Sequence, residues 1–384
     1  MANDKPETIE ETGVKGVFGG AFQGMPVLVT GHTGFKGSWL SIWLKELGAK
    51  VIGYSLAPPT VPSNFEASRL AQRMVDVRGD VRALDGLRST LEEFAPIVVF
   101  HLAAQTIVRT SYAYPKDTFD VNVGGTVNVL EAIRLATSVK AVVCITSDKC
   151  YENQEWIWGY REIDRLGGHD PYSASKAMAE LAISAYRRSF FPTDKYEEHG
   201  VAIASARAAN VIGGGDWGHD RLVSDSIQAL MGNRTISIRN PDSVRPWQFV
   251  LEPLSGYLWL AAKLLGEGGR FAEAWNFGPH EWLAVSVRDL VQELIRLWGT
   301  GEWKDVSSGH APHETGLLRL SWEKAANHLG WQPAYTWHEA VAETVEWYKR
   351  YHDARSSVDM YDTCVEQIRR YVDRARGLHI AWTL

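Results

Sequence analysis

The stretch "VLVTGHTGFKGSWL", Val27 to Leu40, decides how this chain is read. Val27–Thr30 is a short apolar, β-branched run; Gly31, Gly34 and Gly37 follow at GxxGxxG spacing; Trp39, Leu40, Trp43, Leu44 and Leu47 then recur at helical intervals, and Gly48 supplies a stop. A strand that turns through glycines straight into a helix builds an anion site. Backbone N–H groups at the helix start can approach a pyrophosphate where no side chain intervenes. A glycine triplet alone says little in a chain with 34 glycines. Here strand, loop and helix fall in the required order near the domain start. Gly31, Thr33, Gly34, Phe35, Lys36 and Gly37 are therefore candidate contacts of a nucleotide cofactor.

Working outward, "AKVIGYS", "PIVVFHLAAQ" (Pro96–Gln105), "KAVVCITS" (Lys140–Ser147) and "VAIASARAANV" (Val201–Val211) read as strands buried on both faces, with helical segments between them. Continuous apolar strands that alternate with helices imply a parallel sheet, because parallel strands need crossover connections that cover both faces. The fold class is α/β, a Rossmann-type doubly wound parallel sheet with a smaller, mixed C-terminal substrate-binding lobe. Residues 1–20, polar and then Gly-rich, are expected to be a flexible arm; 21–210 the nucleotide-binding domain, with later segments returning to it; and 211–384 mainly the substrate lobe, beginning at the looser "GGGDWGHDR".

The composition excludes several classes. The 384 residues are 45% hydrophobic and 22% charged, ordinary globular values that allow a sizeable core. Lys and Arg number 40 against 46 Asp and Glu, a net charge of −6, which argues against a nucleic acid or anionic membrane as the main partner. Cys144, Cys150 and Cys364 form neither a CxxC pair nor a disulfide framework, and the sequence carries no metal-ligating pattern. No run approaches the roughly 18 apolar residues of a membrane span, and "MANDKPETIEETG" lacks an apolar signal core. A cytoplasmic protein is expected. The 16 tryptophans are read as packing residues.

An acid at the end of the second strand would bind a ribose 2′-OH. None stands there: "GYSLAPP" offers Tyr54 and Ser55, and no arginine cluster replaces the acid, so NAD is favoured over NADP. Asp80 and Val81, in "RGDVRALDGL", sit where an adenine edge could be read, and a solvated turn fits their spacing equally well.

In "HDPYSASKAMAELAISAY", Tyr172 and Lys176 stand at i and i+4 on one helix face, with Asp170 as N-cap and Pro171 at the first helical position. Tyr112 and Lys116 share the spacing, but Pro115 between them disfavours a continuous helix. A lysine beside a tyrosine stabilises phenolate and should lower the phenol's pKa towards neutrality, as a general base requires; a surface pair on an amphipathic helix is the bland alternative. Ser147, Asp148 and Lys149 leave the strand "KAVVCIT" at its carboxyl end, where parallel sheets open their ligand crevice. Ser147 can donate to a sugar oxygen beside Tyr172, and Asp148 and Lys149 offer an acid and a base. On their own they would be read as an exposed turn.

Taken together, "VTGHTGFKGSWLSIWL", "FHLAAQTIVR", "ITSDKCYENQEWIWGYRE", "DPYSASK", "GGGDW" and "RPWQFVLEPLSGY" resemble the CDP-D-glucose 4,6-dehydratase family, a branch of the extended short-chain dehydrogenase/reductase group. The resemblance runs from about Gly24 to about Tyr348. "GHTGFKGSW" and "SDKCYEN" are specific to the branch; the glycine loop and Tyr-x-x-x-Lys belong to the whole group. Related sugar-nucleotide dehydratases carry Asp-Glu where this chain has Asp148-Lys149.

The resemblance implies NAD as cofactor, a CDP-sugar as substrate, and an internal redox cycle. Tyr172 takes the sugar O4 proton as the C4 hydride leaves, with Ser147 and Lys176 supporting the phenolate. Lys149 then removes the C5 proton, Asp148 protonates the departing C6 hydroxyl, and the hydride returns to C6. The implied product is CDP-4-keto-6-deoxyglucose, a precursor of dideoxysugars in surface polysaccharide. By match, Leu102, Ala103, Gln105 and Asn122 lie along the cofactor, Asn210 and Arg245 hold the substrate pyrophosphate, and His313 and Glu314 lie near the nucleotide or fill a helix-start or surface role. The group pairs as a homodimer or a dimer of dimers, through two helices per subunit of which one bears the Tyr-Lys pair. Phe249 stands where histidine is expected after "RPWQ", and Ala83 where an acid often follows Asp80.

Two rivals remain at this level. A sugar-nucleotide 4-epimerase shares the C4 step but has no use for an acid–base pair at C5 and C6. A non-catalytic NAD-binding regulator would be expected to have lost Tyr172 or Lys176, and both are present.

Overall fold

The computed structural model describes residues 13–280, 285–307, 318–354 and 359–384. Its centre is one parallel sheet built from β1 (Pro26–Thr30), β2 (Lys50–Ser55), β3 (Val75–Arg78), β4 (Val98–His101), β5 (Ala141–Ile145) and β6 (Ala202–Ala208). Outside it lie the short strands β7 (Asn210–Ile212), β8 (Ile236–Ile238), β9 (Val244–Arg245) and β10 (Trp247–Phe249); β11 (Ala274–Phe277) then returns to the sheet. The strand order is β11-β6-β5-β4-β1-β2-β3, so the order reverses at β1, between β2 on one side and β4 on the other. Ligands of open α/β sheets bind beyond the strand carboxyl ends at such a reversal.

The central strands are largely apolar because alternate residues feed two cores. Val27, Val29, Phe100, Val143 and Ala204 pack on one face; Leu28, Val99, Val142, Cys144 and Ile203 pack on the other. Burying each Val, Leu or Phe side chain contributes roughly 1.5–3 kcal/mol, so the sheet's stability sits where β1, β4, β5 and β6 meet. Trp39, Trp43, Trp275, Trp331, Trp347 and Trp382 are fully buried packing residues, whereas Trp156 and Trp158 are exposed.

The flexible arm expected over residues 1–20 is too long. Val14, Val17 and Phe18 are buried, and the Phe18 ring stacks on Trp382 with centroids 5.0 Å apart. The glycines around them suggested mobility, but the apolar side chains between those glycines cover the core beneath the first helix, Phe35–Glu46. The return of later chain to the nucleotide-binding half is carried by β11, beside β6, and by the helix Leu251–Glu267, packed against β5 and β6. That helix starts directly after Phe249. The ring found there instead of histidine is buried against Trp39 and Tyr335, which accounts for an apolar residue at this position.

Candidate active site

The glycine loop leaves β1 with Gly31 at φ +75°, a left-handed conformation that favours glycine. A Cβ on Gly31 would lie 2.7 Å from the Ala103 nitrogen, and one on Gly37 would lie 2.1 Å from the Gly31 oxygen. The turn therefore closes only with glycine at both ends. Gly34 caps the helix Phe35–Glu46 without a side-chain hydrogen bond, and the first helical turn holds no acid. Its free N–H groups, with the Lys36 ammonium beside them, suit an anion such as a pyrophosphate. Thr33 closes the loop's outer side through Ser55 Oγ (2.9 Å) and the Leu56 carbonyl (3.1 Å). These are the features a dinucleotide needs at a strand-to-helix turn, and the residues present fit it.

The remaining cofactor candidates divide. Leu102 and Ala103 follow β4 and lie against the loop: the Leu102 N–H donates to the Thr30 carbonyl, and the Ala103 N–H to Thr30 Oγ1. Gln105 and Asn122 brace each other. The Gln105 N–H donates to Asn122 Oδ1 (2.8 Å), while the Asn122 amide nitrogen donates to the Gln105 carbonyl and to Ser175 Oγ. Asn122 is buried, so its visible work is to tie the β4 loop to the Tyr172 helix. Asp80 binds Arg82 through both carboxylate oxygens, and Val81 packs against the Gly125 backbone, which favours the turn reading of that pair. Asp76, on β3, accepts from buried His32 (2.9 Å) and from Arg78 (2.7 Å). Tyr54 is buried under residues 79–86 rather than turned to a ribose.

The catalytic candidates converge. Asp170 caps the helix Pro171–Ser189 by accepting from the Ser173 N–H (3.0 Å), which fixes Tyr172 and Lys176 one turn apart. The turn after β5 is a single 3₁₀ turn, Asp148–Cys150, capped by Ser147. Ser147 donates to Asp148 Oδ1 (2.9 Å), and the turn packs against the helix that carries Tyr172. Ser147, Asp148, Tyr172 and Lys176 are all buried, while Lys149 is half-buried. Burial dominates their electrostatics. It pushes the Asp148 carboxyl above the usual carboxylate range, against the opposing pull of Lys149, so Asp148 is suited to hold a proton. Burial also lowers the Lys176 ammonium to about 8, helped by the charge of Lys36. Lys36 itself falls to about 8, through burial and then Arg221.

One expectation is not met. The Tyr172 phenol is not drawn towards neutrality; burial raises it to about 12, with the Ser147 hydrogen bond and Arg221 opposing. Lys176 cannot overcome this because it is desolvated too, and its Nζ reaches the Ile145 carbonyl at 3.4 Å.

The substrate candidates come from the second lobe. Parallel pairing of β7 with β10 sets Asn210 opposite Trp247, two residues past Arg245. Arg245 lies on β9, where it pairs with Val285 across an antiparallel bridge. His313 and Glu314 lie outside the described residues. Sequence reasoning missed Arg221. Its guanidinium grips both oxygens of Asp216 (2.8 and 2.7 Å), donates to Thr106 Oγ1, and acts on Tyr172 and Lys36. The signal was the acid and base five residues apart in "DWGHDR". Tyr257 was missed as well; it is buried, and the charges of Asp148 and Tyr172 both bear on its phenol.

Residues 28–344 match the family described as GDP-mannose 4,6 dehydratase. The chain is 52% identical over 329 residues to a CDP-glucose 4,6-dehydratase of Salmonella typhimurium, covering 85% of this chain and 91% of that protein. It is 30% identical over 330 residues to a UDP-glucose 4-epimerase of Mycolicibacterium smegmatis, covering 85% of this chain and 99% of the relative. Among solved structures, a dTDP-glucose 4,6-dehydratase of Streptomyces venezuelae with NAD and TYD bound superposes with a TM-score of 0.72 at 25% identity, covering 88% of this chain and 100% of that one.

Proposed function

This chain belongs to the GDP-mannose 4,6-dehydratase family, and from that premise we propose that it dehydrates CDP-D-glucose to CDP-4-keto-6-deoxy-D-glucose with bound NAD. The observation that carries this reading is the packing of the 3₁₀ turn Asp148–Cys150 against the helix Pro171–Ser189, tied at its base by Lys176 Nζ to the Ile145 carbonyl at 3.4 Å. It holds the acid–base turn after β5 against the Tyr-Lys helix, so the groups for chemistry at C4 and those for C5 and C6 share one crevice.

NAD bound in the glycine loop supplies a hydride acceptor for C4 and afterwards a hydride donor for C6. The chain's own residues manage the protons. Tyr172 takes the O4 proton, Ser147 and Lys176 support the phenolate, and the charge of Arg221 favours it. The resulting 4-ketone acidifies the C5 proton, which Lys149 removes. Asp148, whose carboxyl burial raises above the usual carboxylate range, gives its proton to the C6 hydroxyl; the C6–O bond breaks, a C5–C6 double bond forms and water leaves. Return of the proton from Lys149 to C5 completes the product. Asp148 is thus the acid and Lys149 the base. A 4-epimerase needs neither.

Asn210 and Arg245 hold the substrate pyrophosphate, arginine being suited to bidentate phosphate contact. The product supplies dideoxysugar synthesis for surface polysaccharide. The enzyme works in the cytoplasm, a reading supported by three buried, unbridged cysteines and compatible with the finding that no helix among the described residues is long and apolar enough to cross a membrane. Two copies pair through the helices Gly125–Leu135 and Pro171–Ser189. The exposed Leu135, Met178 and Leu181 on those helices support this.

The reading is tested by comparing kcat/KM for CDP-, dTDP-, UDP- and GDP-glucose. A base held by hydrogen bonds should be preferred by at least ~10-fold, so CDP-glucose is expected to lead by that margin; equal or faster turnover of dTDP-glucose would overturn the assignment of the base. The cofactor site carries its own test. In Gly37→Ala, a methyl group forced against the Gly31 oxygen costs about 1–3 kcal/mol, so NAD affinity measured by calorimetry should fall about 10–100-fold. Unchanged affinity would place the cofactor elsewhere.

A further inference from the structure

Beneath the crevice lies a buried ion pair that the reaction does not use. Glu180, one helical turn beyond Lys176, and Arg207, on β6, meet at 2.8 Å, and each side chain is only 3% exposed. Such pairs are costly to desolvate and are weak sources of stability, so its other contacts are informative. Glu180 accepts from Thr146 Oγ1 at 2.5 Å and from Ser205 Oγ at 2.7 Å. Arg207 donates to the Tyr151 hydroxyl at 2.6 Å and lies over the Tyr151 ring, 4.9 Å from its centroid. Tyr151 in turn donates to Asn276 on β11 at 2.8 Å.

Thr146 and Tyr151 are the residues on either side of Ser147–Cys150. A single ion pair therefore grips both ends of the turn that carries the acid and the base. Its carboxylate stands on the Tyr172 helix and its guanidinium on the neighbouring strand, so the grip also fixes the turn relative to Tyr172.

We propose that the Glu180–Arg207 pair is a positioning device for the Ser147–Cys150 turn, required for the steps at C5 and C6 more than for the step at C4. The inference rests on the dehydratase reading above. Ser147 is anchored independently by its bond to Asp148. Beyond Lys149 the chain is held by the Tyr151 side chain together with the Gly167 N–H, which donates to the Cys150 carbonyl at 2.9 Å. Tyr151 stands two residues from Lys149, so release of its hydroxyl bears on Lys149 before it bears on Ser147.

Tyr151→Phe removes one hydroxyl and keeps the ring. It is expected to slow exchange of the C5 proton with solvent by roughly 10–100-fold, the usual loss when a reacting group is displaced by about 1 Å. A 4-keto sugar that still bears its C6 hydroxyl should then accumulate in a single turnover, trapped by borodeuteride. Thr146→Val, which frees the Ser147 end, should slow C4 oxidation and C5 exchange together. Both variants should stay cooperatively folded, with a thermal midpoint lowered only as far as the loss of one buried hydrogen bond requires, and should keep CDP-glucose affinity. Equal losses at C4 and C5 in Tyr151→Phe, or no loss at C5, would overturn the proposal. Wild-type protein in the same assay reports on the dehydratase reading separately, because failure to exchange C5 there would discredit that reading rather than the role of the pair.

Discussion

Tyr172→Phe is expected to lower turnover by about three orders of magnitude while CDP-glucose binding stays within a few-fold of wild type. The phenol oxygen is the group placed to take the O4 proton, and a positioned general base contributes roughly 10²–10⁴-fold. Phenylalanine keeps the ring and loses only that oxygen, so the buried packing of the helix start is preserved. The variant leaves Ser147 its bond to Asp148, so the acid–base turn is not orphaned. A pH signature accompanies the loss. Burial raises the phenol to about 12, so the reactive phenolate grows with pH, and wild-type C4 oxidation should quicken as pH rises through the neutral range. In Tyr172→Phe that slope should vanish. Retention of both rate and slope would remove Tyr172 from the chemistry.

The second large effect is expected at Lys149. Lys149→Ala should abolish exchange of the C5 proton with solvent and stall the reaction at the 4-keto sugar that retains its C6 hydroxyl. C4 oxidation itself should survive, because the C4 groups stand on a different element, the helix Pro171–Ser189. The fall in overall turnover should be about 10²–10⁴-fold. Asp148→Asn is a useful companion: it keeps the hydrogen bond from Ser147 but cannot deliver the proton, so C5 exchange should continue while water elimination fails. If C5 exchange in Lys149→Ala proceeds at the wild-type rate, another base is at work.

These two expectations draw on parts of the molecule that were unevenly legible in the sequence. The sheet core was readable because β1, β4, β5 and β6 are buried on both faces and so are dominated by apolar residues. β3 was not: it is an edge strand with an exposed Val75, and although "VDVR" alternates, four residues are too few for the alternation to mark a strand. The glycine loop, the Tyr172 helix and the turn after β5 announced themselves because their chemistry demands fixed residue types at short spacing. Glu180 and Arg207 did not, since they meet across 27 residues of sequence, which no local pattern records; for Arg221 the local sign was Asp216 five residues before it, while its bond to Thr106 comes from a distant part of the chain. The phenol's electrostatics were misjudged for a related reason. Spacing shows that a lysine is near, but the sign of the net shift depends on how deeply both groups are buried, and that is a property of the assembled crevice.

The central claim is that groups acting at C4 and groups acting at C5 and C6 serve one sugar in one crevice. CDP-glucose deuterated at C4, turned over by the intact enzyme and analysed by NMR, tests it most directly. The account predicts a 4-keto product whose deuterium has moved to C6 of the same molecule. Deuterium returned to C4 of a hexose that keeps its C6 hydroxyl would contradict the account and leave an epimerase in its place.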